Sequence, residues 1–143
     1  MITEPMLAST AARFCAAGAS IANVSLALAM LALVALLFGN PRGAEAWCWW
    51  LVASSGGAGA WYRFRLGFDA GVFADIAAGS DSTVDARIAA FDSALLVIAG
   101  RSREASGART LSDRVLGARR LVMRAASVTA AQAAVALFVA MPR

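Results

Sequence analysis

The 143 residues are 60% hydrophobic and only 15% charged, with a net charge of +4, which allows one domain and takes the chain out of the ordinary soluble class. The absence of histidine excludes imidazole metal sites, His-ligated haem and His acid–base chemistry, and two cysteines, Cys15 and Cys48, are too few for a zinc or iron–sulfur site. No metal or cofactor is called for.

All the basic residues are Arg. This reads as codon bias in a high-GC genome, with a selected guanidinium surface as the alternative. They flank apolar stretches instead of forming a stripe with interleaved aromatics, so topology explains them better than nucleic acid does.

In chain order, the first segment is MITEPMLASTAARFC, where Thr3 can cap a helix with Pro5 in its first turn. Met6, Leu7 and Phe14 suit a membrane surface, and a frayed terminus is the alternative. From Ala16 to Gly39 the chain carries no charge, and at about 1.5 Å per residue this run spans ~36 Å, enough to cross a ~30 Å hydrocarbon core. A signal peptide ending at Ala44-Glu45-Ala46 is the competing reading, disfavoured by the length of the apolar run. Gly39-Asn40-Pro41-Arg42-Gly43 then reverses the chain.

A second crossing begins at Trp47, beside Trp49 and Trp50, and reaches Trp61 and Tyr62. Aromatic rings prefer the headgroup level, so the two clusters mark the two interfaces, about 22 Å of helix axis apart. Phe64, Phe68, Val72 and Ile76 recur every four residues, which continues the helix as an amphipathic extension in which Gly67 and Gly71 permit a bend. Ser82-x-x-Asp85 reads as a capping box for a third helix with an apolar stripe at Val84, Ile88, Phe91, Leu95 and Ile98, closed by Gly100. After the loop RSREASGAR, Thr110-x-x-Asp113 opens a last helix that leads into a third span at about 121–141.

The reading is an all-α single membrane domain over 1–143. Its spans lie at about 16–39, 46–62 and 121–141, and a cytoplasmic helical cap occupies 63–120. Ten Arg fall between Arg63 and Arg124, against Arg42 alone in the short turn. The positive-inside rule therefore predicts a cytoplasmic N-terminus and a periplasmic C-terminus in a bacterial inner membrane. That arrangement puts Cys15 and Cys48 at opposite ends of a helical hairpin, too far apart for a disulfide with each other. An intermolecular bridge through Cys48 is the alternative to two buried thiols.

Three groups of residues stand out. Ser55-x-x-x-Gly59 and Gly56-x-x-x-Ala60 put small residues on the second span, which lets backbones approach closely. The face serves packing within the chain or docking of another subunit. Asn23 and Gln132 are polar positions deep in the apolar stretches, suited to hydrogen bonds between helices. Arg63, Arg65, Arg119, Arg120 and Arg124 form a basic collar for anionic lipid headgroups or an acidic partner.

No phosphate loop, metalloprotease helix or nucleophile elbow occurs, and the Asp residues are scattered along amphipathic helices, so the chain reads as a non-enzyme. A comparison with the small bacterial diacylglycerol kinases fails, because Glu occurs only at 4, 45 and 104. RLGFDAGVFADIAAG, followed by an amphipathic helix and a basic entry into the last span, resembles small uncharacterised proteobacterial inner-membrane proteins. That resemblance implies the topology above and lends no activity. The function expected is an accessory or scaffolding subunit of a larger membrane complex. The alternatives are a self-assembling, membrane-permeabilising protein of the holin kind and a lipid-binding subunit of a membrane enzyme or transporter.

Overall fold

The computed structural model describes residues 3–79, 83–99 and 110–141, with the side chains of residues 92 and 95–99 outside the description. These residues form four helices, α1 (Glu4–Phe38), α2 (Ala44–Ala78), α3 (Val84–Ala99) and α4 (Leu111–Ala140), with no strand among them. Ser82, the Gly100 helix end, the RSREASGAR loop and the last two residues lie outside the described part.

The first helix starts earlier than the charge-free run suggests. Pro5 sits in its first turn, and Ala8, Ala11 and Cys15 are buried against the other helices, so the N-terminal segment is packed bundle and not a surface arm or a frayed end. Met6 and Phe14 stay exposed on its outer side. The predicted turn follows, with Asn40 (φ 50°) and Gly43 (φ 59°) in the left-handed region. Asn tolerates that conformation better than most residues, and Gly adopts it without a Cβ clash. The second helix runs without a break through Gly67 and Gly71.

Burial follows a seven-residue repeat. On α1 the buried positions are Ala8, Ala11, Cys15, Gly18, Ala22, Ser25, Ala29 and Ala32, alternating steps of three and four. On α4 they include Ala118, Val122, Ala125, Thr129, Gln132 and Ala136 with the same alternation, and on α2 Trp49, Val52, Gly56 and Gly59 start the same series. A strict heptad repeat keeps one seam facing the partner when helices wind around each other left-handedly. Because the α1 seam is made of Ala, Cys, Gly and Ser, the axes come close.

Contacts across the seam fix the directions. Ala29 meets Gly56, Ser25 meets Gly59 and Gly18 meets Leu66, so α2 runs antiparallel to α1. Gly18 also meets Val122, and Thr129 reaches the Ile21 carbonyl, so α4 runs parallel to α1. At the turn end Ala32, Trp49, Val52 and Ala136 close the core. At the other end the larger Leu66, Phe73, Ile76, Leu111 and Val122 fill it, and α3 docks there through Ile88. Arg87 of α3 fastens the junction by donating to the Ile76 carbonyl at 2.7 Å near the end of α2.

Apolar bulk faces outward. Met30, Leu31, Leu37, Phe38, Leu137 and Phe138 are each more than half exposed, while the buried positions beside them are small. The helices α1 and α4 are long and apolar enough to cross a membrane, and only 22% and 28% of their most apolar stretches are buried in the bundle. The core helix of a water-soluble protein would be mostly buried. The second helix falls short of the same apolar level, because Trp, Gly and Ser fill the stretch where α1 and α4 carry Leu, Val and Ala.

Candidate functional site

The polar residues of the seam are joined across helices. Gln132 on α4 donates both amide hydrogens to α2, one to Ser55 Oγ at 2.7 Å and one to the Val52 carbonyl at 3.2 Å. Ser55 in turn donates to the same carbonyl at 2.8 Å. Thr129, one turn earlier, bonds the Ala125 carbonyl at 2.9 Å and lies 3.4 Å from the Ile21 carbonyl of α1. Away from water such bonds hold helices in register, because a free polar group in an apolar medium is costly. Two buried atoms, Ser25 Oγ and Gln132 Oε1, accept or donate nothing among the described residues.

Of the residues singled out as a packing face, Gly56 and Gly59 are buried against Ala29 and Ser25, and Ser55 and Gln132 bond each other. Asn23 lies apart from them. It is exposed on α1, where its Oδ1 accepts from Arg63 Nε at 2.5 Å. That face is thus occupied within the chain. The outward side of α2 carries Ser54 and Gly57 instead, and a Cβ added at Gly57, Gly67 or Gly71 would meet nothing within 4 Å.

The five collar arginines lie in the half of the bundle remote from the α1–α2 turn, yet they do not converge. Arg63 reaches across to α1. Arg65 pairs with Asp69 at 3.6 Å on its own helix, and both line a groove of about 750 Å³ between α2 and α4 together with Arg114, Arg120 and Asp113. Phe91 of α3 covers one wall, its ring tilted against Phe68 with centroids 5.9 Å apart and the Arg114 guanidinium 5.8 Å above its ring. Arg119 faces a different groove, beside Leu7 and Phe14 of α1. Arg124 is exposed.

Burial pushes the Asp69 carboxyl above its ordinary range, with Arg65 and Arg114 pulling the other way. Asp69 and Arg114 were not singled out as a pair by sequence, since they are distant in the chain and only the α2–α4 register brings them together. The helix-capping signal was readable: Thr110 Oγ1 accepts from the Asp113 amide and the Asp113 carboxylate accepts from the Thr110 amide, each at 3.3 Å. For α3 the acceptor is Thr83, whose Oγ1 takes the Ala86 amide at 3.3 Å.

Among the described residues no three His, Cys, Asp or Glu side chains converge where a metal ion would sit, and both cysteines are free thiols. The chain matches no protein-family model, no curated protein and no solved structure.

Proposed function

We propose that this chain crosses a bacterial inner membrane three times and serves as a small accessory or scaffolding subunit of a larger membrane complex. The observation that carries the reading is the direction of the helices. Two parallel crossings, α1 and α4, require the chain to return between them, and α2 runs antiparallel against both through the same depth. Its Ser, Gly and Trp residues suit a crossing whose small face is covered by its neighbours. Arginine density supports the orientation: among the described residues Arg13, Arg63, Arg65, Arg87, Arg114, Arg119, Arg120 and Arg124 lie toward one end, with Arg42 at the turn. That end is the cytoplasmic one, with α3 as its cap.

The scaffolding role rests on two features. The chain carries no recognisable catalytic motif, and its own small-residue seam is used internally while the outward side of α2 stays open. Partners of this subunit are other membrane proteins, with anionic headgroups at the arginine-rich end. Purification of the tagged chain in mild detergent tests the role. A partner membrane protein at fixed ratio is the expected result, and a lone monomer with nothing bound contradicts it.

A further inference from the structure

The groove beside the Asn23–Arg63 bond joins a guanidinium to a side-chain amide, which the Arg119 groove beside Leu7 and Phe14 does not. It measures about 410 Å³ and is lined by Ala19, Ser20, Asn23, Arg63, Phe64, Gly67 and Phe68, with no carboxylate among them. The larger groove between α2 and α4 has two carboxylates, Asp69 and Asp113, to offset its arginines. An uncompensated guanidinium therefore faces out at a place where the surroundings are apolar and aromatic.

Its geometry is held. Arg63 spends its Nε on the Asn23 Oδ1, and among the described residues that is its one hydrogen-bond partner. The bond occupies the Nε donor of the planar guanidinium and leaves its terminal N–H groups, a fork that suits a phosphodiester. The Asn23 amide NH₂ adds a neutral donor beside it. Ser20 directs its hydroxyl hydrogen to the Ala16 carbonyl at 3.2 Å, so that donor is turned to its own helix. Gly67 leaves the groove floor bare, with open space where a Cβ would be.

Position selects the source of the phosphate. Asn23 belongs to the charge-free stretch of α1, and Arg63 follows directly on Trp61 and Tyr62, where the aromatic belt meets headgroups. We infer that this groove seats the phosphodiester of one anionic phospholipid, held by Arg63 and Asn23, with its acyl chains running along the exposed apolar side of α1. The assignment rests on the membrane reading above.

The test uses the full chain in detergent with equimolar phosphatidylglycerol and phosphatidylcholine, and native mass spectrometry as the readout. Wild type should retain phosphatidylglycerol in preference, Arg63→Gln should lower that adduct about tenfold, the loss of a charge-assisted contact, and Arg42→Gln at the far turn should leave it unchanged. Wild-type retention in Arg63→Gln overturns the assignment, as does a wild type with no preference between the lipids. Should Arg63→Gln fail to fold, Asn23→Ala repeats the test outside the buried seam, with loss expected and full retention contradicting. Tryptophan quenching by brominated phosphatidylcholine in vesicles separates the two claims. Quenching without lipid preference defeats the lipid site alone, and absence of quenching defeats the membrane reading as well.

Discussion

Gly59 of α2 and Ser25 of α1 stand so close that a Cβ on residue 59 would lie 2.5 Å from the Ser25 hydroxyl oxygen and 3.0 Å from its Cβ. The same holds one turn away, where a Cβ on Gly56 would lie 2.5 Å from the Ala29 Cβ. The helices approach as they do because the facing seam positions Ser25 and Ala29 on α1 and Gly56 and Gly59 on α2 are all small. Gly56→Ala and Gly59→Ala must push the helices apart, at a cost of about 1–3 kcal/mol each. Gly57→Ala, a neighbour pointing into open space, should be neutral or stabilise by up to about 1 kcal/mol through helix propensity. Unfolding by sodium dodecyl sulfate, followed by tryptophan fluorescence, reads the difference, and equal effects at 57 and 59 would refute the register.

Gln132 ties α4 to α2 through two donated bonds. A double-mutant cycle with Gln132→Leu and Ser55→Ala isolates one of them. The expected coupling is about 0.6 kcal/mol and not above ~1.7 kcal/mol, the range found for bonds between helices in lipid. Additive single effects would mean that the two side chains do not meet.

Asp69 gives the chain a pH response. Its folded carboxyl is held above the ordinary value, first by burial, with Arg65 and Arg114 opposing. In the window between the ordinary carboxylate value of about 3.9 and the raised folded one, the folded state binds more proton than the unfolded chain, so stability falls as pH rises through that window. Below the window both states are protonated and the contribution is flat. Asp69→Asn should remove this slope. Denaturant midpoints measured from acid to neutral pH check it, and an unchanged slope in the variant places its origin elsewhere.

The Thr110–Asp113 box closes the first turn of α4. Thr110→Ala should cost about 1 kcal/mol and raise amide exchange in the first turn of α4 while leaving exchange around Gln132 unchanged. Uniform exchange along the helix would mean that the cap has no local role.

The sequence made the elements legible where one physical signal dominates. The charge-free run of α1, the continuation of α2 past Tyr62 and the capping box of α4 all follow from composition and spacing. Thr3 and Pro5 mark the start of α1 in the sequence as in the structure, but that its first turns join the packed seam was not legible, because the charge at Arg13 marks the end of an apolar run and says nothing about the end of a helix. Which residues face inward was hidden for another reason. The seam is small and the outside is large and apolar, so hydrophobic periodicity carries almost no contrast. The heptad of small residues from Ala8 to Ala32 is the signal that finds it. Pairs such as Asn23–Arg63 and Ser55–Gln132 span 40 and 77 residues and depend on helix register, which no local pattern encodes. That is also why the arginine collar, continuous in the sequence reading, is divided among separate grooves.

The three-crossing path of the chain is the central claim, and cysteine accessibility in intact cells tests it most directly. In a background carrying Cys15→Ala and Cys48→Ala, single cysteines are placed at Arg42 in the α1–α2 turn and at the exposed Ser112 at the start of α4. An impermeant maleimide should label Arg42→Cys in intact cells and Ser112→Cys only after the membrane is opened. Labelling of both positions from the same side would mean that α2 does not cross, and would contradict the account.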